Sequence, residues 1–463
     1  MLFTVDPNCG KSLYTQIYDG IRKSILCGEL RVGEKLPSKR RLAERLAVSV
    51  ITVGNAYAQL TAEGYLTAVE RRGHFVADVI PSFPRESAAA ARKPEPEPAE
   101  KEYTVDFQSR NLSPEQFPFT VWARTMRSVL LMQDTRLLRP LEYNGVFELR
   151  SAIAGYLLRE RGIHVSPGQI TVGAGTEYLQ HLLIQLLGRE RVYGVEDPGY
   201  PQTGMIYESN GAGCRRIPLR GGGVSVDELI RQGVDVAHVT PSHHFPTGTV
   251  MPVSQRQALL RWAEEKDGRY IVEDDYDSEF RFVGRPIPTV FGTDSGGRVI
   301  YMNTFSKTIA PSIRISYMVL PEHLAEQFKH CLGFYSCTVS SFEQYTLAEF
   351  ISRGHYERHL SRMKKLYRQK RDTVISAING SALCGRGRIL EEDAGLHFLV
   401  RLSTEVSDAE LRRRAEDKGI RLSFLTDFLH RYSPESEHNL VISYSGINTE
   451  KLPQAFNEIA EMI

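Results

Sequence analysis

The stretch Asn303-Thr304-Phe305-Ser306-Lys307-Thr308-Ile309-Ala310-Pro311-Ser312-Ile313-Arg314-Ile315-Ser316-Tyr317 decides how this chain is read. It follows directly on the apolar run Arg298-Val299-Ile300-Tyr301-Met302, which reads as a strand. A lysine flanked by hydroxyls supplies an amine that can form an imine with an aldehyde. An arginine seven residues later supplies a cation and, with the hydroxyls, the donors a phosphate needs. Upstream, Ile271-Val272-Glu273-Asp274-Asp275-Tyr276 puts Asp274 and Tyr276 two apart, on one side of an extended strand end. Asp274 can hold a pyridine nitrogen protonated, and Tyr276 can hydrogen-bond a ring hydroxyl. Amine, phosphate site, acid and phenol together are what pyridoxal 5'-phosphate (PLP) requires. Alone, Lys307 would read as a surface lysine and Asp274 as a helix cap; together they point to the cofactor.

Two further segments fit that chemistry. Val172-Gly173-Ala174-Gly175-Thr176-Glu177-Tyr178 is a Gly-rich strand-to-helix turn whose backbone N–H groups and hydroxyl can receive a phosphate. Asp197-Pro198-Gly199-Tyr200-Pro201 offers an aromatic on a rigid turn, suited to stacking on a planar ring, or else an ordinary buried tyrosine. The apolar runs 169–172, 191–195, 236–240, 270–274 and 298–302 alternate with amphipathic helical stretches. That alternation predicts a mostly parallel α/β sheet, buried on both faces and binding its ligand beyond the strand ends.

The chain has 463 residues, 41% hydrophobic and 24% charged, which excludes wholesale disorder and demands more than one small domain. No apolar run reaches the roughly 18 residues of a membrane span, and the N-terminal residues have no basic-then-apolar signal pattern. A cytoplasmic protein is expected. Its six cysteines show no C-x-x-C pair, so they read as free thiols, and no metal site is expected. Residues 81–103, rich in Pro, Glu and Ala, cannot sustain a helix ladder or a core and read as a solvated tether. It divides the chain into a head, 1–80, and a body, 104–463. The formal net charge is only +1, with a small basic excess in the head, so nucleic-acid binding must be argued from motif.

In the head, Leu13, Ile17, Ile21 and Ile25 recur every four residues, predicting a helix that stops at Gly28. Ser38 is a good N-cap for a helix from Lys39 to Leu46, and a further helix is predicted over Val50 to Glu63 with Val53, Ala56, Tyr57 and Leu60 inward. Residues 65–69 and 74–77 flank the basic turn Arg71-Arg72-Gly73 and predict a hairpin. Three helices and a hairpin suggest a winged helix-turn-helix; a small helical interaction domain is the plainer alternative.

At Leu36-Pro37-Ser38-Lys39-Arg40-Arg41-Leu42-Ala43, Val48-Ser49-Val50-Ile51-Thr52-Val53 and Leu60-Thr61-Ala62-Glu63-Gly64-Tyr65-Leu66 the head resembles GntR-type bacterial regulators. The resemblance implies that Ser38, Arg40, Thr52, Gly73 and His74 grip one half-site of a double-stranded DNA operator. Relatives often carry Arg after the Ser that opens the recognition helix, where this chain has Val50. From about Phe107 onward the body resembles fold-type I, aspartate-aminotransferase-like enzymes. The order head, linker, body is that of the MocR subfamily of GntR regulators. That resemblance implies Lys307 as the catalytic, cofactor-carrying lysine, Asp274 on the pyridine nitrogen, Tyr276 on the ring hydroxyl and Tyr200 as the stacking ring. It implies Gly175, Thr176, Thr304, Ser306 and Arg314 as the phosphate site. It also implies a homodimer, with one chain's head crossing to the other's body.

Two departures bear on turnover. Aminotransferases carry Asn-Pro-x-Gly beside the cofactor; this chain has Phe245-Pro246-Thr247-Gly248. They hold the substrate carboxylate with an Arg in a late strand, where this chain has Val441 within Asn439-Leu440-Val441-Ile442-Ser443-Tyr444 and only Arg431 nearby. The sequence therefore predicts a PLP-dependent transcription regulator sensing an amino compound or PLP. The alternatives are an active aminotransferase with an accessory head, and a vitamin sensor with PLP as its effector.

Overall fold

A computed structural model of the chain describes residues 3–7, 9–79, 102–108, 112–284, 287–393 and 395–463. It divides into two compact units, Met1–Glu100 and Lys101–Ile463. The expected tether lies outside the described residues except for its last two positions.

In the first unit, α1 (Leu13–Leu26) starts where Ser12 Oγ accepts the Thr15 N–H at 3.2 Å, and its four-residue stripe buries Ile17, Ile21 and Ile25. The helix ends at Leu26 rather than Gly28, with Cys27 as its C-cap. α2 (Lys39–Leu46) opens under Ser38, whose Oγ accepts the Arg41 N–H at 3.3 Å. Ala47 turns the chain in the left-handed region (φ 53°), and α3 (Val50–Ala62) begins beneath Ser49, which caps Thr52 N–H at 3.0 Å. Val53, Ala56, Tyr57 and Leu60 of α3 close a core with Ile17, Ile21, Leu42 and Ala43. In so small a core, cutting one such side chain back to alanine costs about 2–5 kcal/mol. The hairpin β1 (Leu66–Val69) and β2 (Gly73–Val76) pairs antiparallel, Leu66 against Val76 and Val69 against Gly73.

In the second unit the strands named from sequence all form, shifted by at most two residues. They are β3 (Ile170–Gly173), β4 (Val192–Asp197), β7 (Val236–Val239), β8 (Tyr270–Asp274) and β9 (Val299–Thr304); three strands not named from sequence, β5 (Gly213–Arg220), β6 (Gly223–Val224) and β10 (Ser316–Val319), join them. Their order in one eight-stranded sheet is β3-β10-β9-β8-β7-β4-β5-β6. β5, β4, β7, β8 and β9 run parallel, while β10 inserts antiparallel to both β9 and β3. β3, β7, β9 and β10 are buried throughout, as their predominantly apolar character favours. A second sheet, β11 (Gly387–Leu390), β12 (His397–Leu402) and β13 (Asn439–Ser443), is fully antiparallel. Leu440, Ile442, Phe398 and Val400 face its own core. Among the described residues, no helix is long and apolar enough to cross a membrane.

Candidate functional site

Because β3, β4, β8 and β9 run the same way, their C-terminal ends deliver their following loops to one edge of the sheet. A cavity of about 260 Å³ opens there, lined by Thr176, Tyr200, Asp274, Tyr276, Thr304, Ser306, Lys307 and Arg314. Of the expected cofactor residues, only Gly175 is not itself in the lining, and it sits at its edge as the N-cap of α4 (Thr176–Leu187).

Strand alternation selects the acid. Glu273, Asp274 and Asp275 are consecutive, so the sequence offers three carboxylates at one strand end. Glu273 is spent inside, accepting the N–H groups of Val290 (3.0 Å) and Phe291 (2.8 Å). Asp275 is pinned by Arg161 at 2.7 Å, Tyr301 Oη at 2.8 Å and Ser278 Oγ at 2.9 Å. Asp274 alone turns into the cavity. Its Oδ2 lies 3.6 Å from His238 Nε2, whose Nδ1 is held 2.8 Å from Tyr207 Oη, and its Oδ1 is buried with no hydrogen-bond partner among the described residues. A buried carboxylate oxygen without a partner is costly unless a cation or donor arrives.

A second group of residues at the cavity suits an anion. Gly175 has φ 96°, a conformation other residues adopt only under strain, and it stops β3 so that α4 aims its N-terminal N–H groups at the cavity. Arg314, also in the left-handed region (φ 49°), brings Nη2 to Glu177 Oε2 at 2.5 Å. Ser306 Oγ is buried without a partner among the described residues, whereas the Thr304 hydroxyl is already engaged, accepting from Ser306 N (3.1 Å) and Ser316 Oγ (2.8 Å). These features fit PLP: an orphaned acid for the ring nitrogen, and a glycine cradle, helix N-terminus, arginine and hydroxyl for the phosphate. Lys307 lines the same cavity from the short helix after β9.

Several residues that the sequence reading did not assign surround this set. Tyr276 Oη lies 3.3 Å from His243 Nδ1, which Asp277 engages at 3.0 Å. His397, first residue of β12, packs 4.6 Å from His243 and 5.0 Å from Phe245, ring centre to ring centre. Gly395 permits this: a Cβ there would meet the His243 ring at 1.8 Å. His243, Asp277 and His397 are the described residues whose ligand atoms converge as a metal site would need. Burial holds His397 well below the ordinary imidazole value, reinforced by the charges of His243, His244 and Lys307. Glu196 is pushed up to about 8 by burial, against the hydrogen bonds it accepts from Thr240 N (3.0 Å) and Oγ1 (2.7 Å). No sequence signal marked these groups, because only folding brings strands 150 residues apart together.

Tyr200 meets Phe245 edge-on, with ring centres 5.9 Å apart. Val441 is buried on the face of β13 opposite Leu440 and Ile442, which it shares with the cavity-lining Ser443. Val441 itself does not line the cavity. Arg431 is exposed in the loop that follows the backbone bond from His430 N to Asp197 Oδ1 (3.0 Å).

In the head, Arg40 is exposed on α2, and Ser38 spends its hydroxyl on capping that helix. Thr52 Oγ1 lies 2.7 Å from Ser49 Oγ. Gly73 starts β2 with φ 112°. The His74 ring packs edge-to-face on Tyr57 at 5.0 Å, and burial followed by the Lys39 charge lowers its proton affinity. Arg40 and the wing turn therefore lie on the surface, while Ser38, Thr52 and His74 also serve the fold.

Comparison with known proteins matches residues 106–459 to the aminotransferase class I and II family and residues 13–76 to the bacterial regulatory proteins of the gntR family. The uncharacterized HTH-type transcriptional regulator YdeL of Bacillus subtilis is 36% identical over 447 residues, 96% of each chain. The probable rhizopine catabolism regulatory protein MocR of Rhizobium meliloti is 33% identical over 478 residues, 99% of this chain and 95% of that one. Among solved structures, a kynurenine aminotransferase from Pyrococcus horikoshii shares the body's fold, with TM-score 0.68 and 24% identity over 79% of this chain and 91% of that one.

Proposed function

Since the chain belongs to the MocR subfamily of GntR-type transcription regulators, a winged helix-turn-helix head fused to a PLP-dependent aminotransferase-fold body, we propose that its body senses an amino compound, or PLP itself, and thereby sets the head's grip on an operator. Residues 1–80 are the DNA-binding head, 81–103 the tether and 104–463 the effector body. Lys307 carries the cofactor, Asp274 takes the ring nitrogen, Tyr276 the ring hydroxyl and Tyr200 the ring face. Gly175, Thr176, Thr304, Ser306 and Arg314 hold the phosphate. Ser38, Arg40, Thr52, Gly73 and His74 contribute to the half-site interface. The working form is a cytoplasmic homodimer, each head taking one half-site.

When bound, PLP supplies an aldehyde that exchanges amines and a protonated ring that withdraws electrons. This chain's own residues supply the rest. Asp274 keeps a proton at the ring nitrogen, and Arg314 with the α4 N-terminus fixes the phosphate. Lys307, on the short helix after β9, would offer the Nζ amine that holds the cofactor. What supports the reading is the buried Asp274 Oδ1, unpartnered among the described residues, in a cavity that Arg314 and Ser306 also line, with Gly175 packed against Arg314. Phe245 and Val441 leave out two groups that hold a substrate during proton transfer, which favours sensing over turnover.

The test uses the purified full chain. Borohydride reduction followed by peptide mapping should place the reduced cofactor adduct on Lys307, and amines should shift the visible spectrum with at most slow keto-acid formation. An adduct on another lysine would overturn the site.

A further inference from the structure

The recognition helix ends in a hydrophobic tip. α3 reads VITVGNAYAQLTA and contains no charged residue. Its inward side chains are fully used by the core, yet at its start Val50 is 45% and Ile51 75% exposed. Asn55 and Ala58, four and seven residues beyond Ile51, extend the same exposed face. The polar groups at the tip are engaged with one another: Ser49 Oγ caps Thr52 N–H at 3.0 Å and lies 2.7 Å from Thr52 Oγ1. The cations stand to either side, with Arg40 and Arg41 exposed on α2 and Arg71 and Arg72 exposed in the wing turn. Charge at the flanks and methyl groups at the centre match a duplex whose phosphates lie outside and whose base edges lie within the groove.

In the major groove a methyl surface has one matching base-edge group, the 5-methyl of thymine, whereas guanine O6 and N7 call for donors that Val50 and Ile51 lack. We propose that Val50 and Ile51 form an apolar reading patch for thymine methyl groups in the operator half-site. The inference rests on the head's role in DNA binding and adds the base chemistry it selects. Burying one methyl against this patch removes apolar surface from water and is worth about a fourfold change in affinity. Contacts from the flanking arginines weaken with salt, but this selection does not, because no counterion is released.

The test begins with a duplex selected from a random library by the full-length protein. Each thymine of a half-site is then replaced singly by deoxyuridine, which removes only the 5-methyl, and binding is measured by fluorescence anisotropy. One or two positions should lose about threefold to fivefold in affinity, a penalty that disappears in Ile51→Ala or Val50→Ala. The wild-type arm needs no variant, and Ile51 is exposed enough that its truncation leaves the head's core intact. Half-sites without thymine, uniform indifference to deoxyuridine, or a penalty unchanged in both variants would each overturn the proposal while leaving DNA binding in place. Selection of no duplex at all would overturn the DNA-binding reading and the patch with it.

Discussion

A Cβ placed on Gly175 would stand 2.2 Å from Arg314 Nη2, so the glycine and the arginine share one space at the N-terminus of α4. Gly175→Ala therefore imposes two penalties, a strained φ of 96° and displacement of the guanidinium. The expected result is a loss of PLP affinity of about tenfold or more, read by absorbance titration of apoprotein. Gly162→Ala is the control: its φ is also positive at 66°, but nothing lies within 4 Å of the added Cβ, and PLP binding should not change.

Glu196 gives the apoprotein a defined pH response. Burial raises its carboxyl from the ordinary 4.5 to about 8, so between those values the folded state holds a proton that the unfolded state has released. Stability from this group is complete below about pH 4.5 and is lost as pH rises toward 8, with a slope of about 1.4 kcal/mol per pH unit. Glu273 and Glu279, each at about 7 through burial, add slopes of the same sign. The informative quantity is thus the difference between wild type and Glu196→Gln. Denaturation at a series of pH values should show the variant gaining on wild type as pH rises; a difference independent of pH would refute the assignment.

Arg40 and Ser38 separate contact from structure. Arg40 is exposed, so Arg40→Ala should leave the head folded, weaken operator binding and lower the salt slope by about one phosphate contact. Ser38 caps α2 through Arg41 N–H, and Ser38→Ala should cost about 1 kcal/mol of head stability whether or not DNA is present. Anisotropy at several salt concentrations and thermal melts check the pair. Arg40→Ala binding as tightly as wild type would remove it from the interface.

The sequence made some of this legible for physical reasons. Ser38 announced α2 because a hydroxyl before a charged helical stretch satisfies an orphan N–H, and the helix begins at Lys39 as expected. Residues 270–274 and 298–302 read as strands because burial on both faces leaves short apolar runs without polar alternation, and the second continues in the structure to Thr304. β10 was not legible: Ser316-Tyr317-Met318-Val319 is only four residues and follows Arg314 without a turn signal, so its antiparallel insertion emerges only from pairing with β9 and β3. Nor were His238 and His397 legible as parts of one cavity, or His243 as the ring packed against His397, since their placement depends on contacts across two sheets and on the room left by Gly395. Asp274 could be named from spacing, but its distinction from Asp275 required the Arg161 ion pair.

We propose that the state of the Lys307 site governs the head's hold on DNA. The most direct measurement is the operator affinity of the full chain, titrated with PLP and then with a panel of amines, in wild type and in Lys307→Ala. Wild type should change affinity with PLP or with a selected amine by about 5–150-fold, the range of ordinary allosteric coupling, and Lys307→Ala should lose that response. Equal operator affinity under every condition, accompanied by steady transamination at about 1–10³ per second, would contradict the claim and make the body an enzyme.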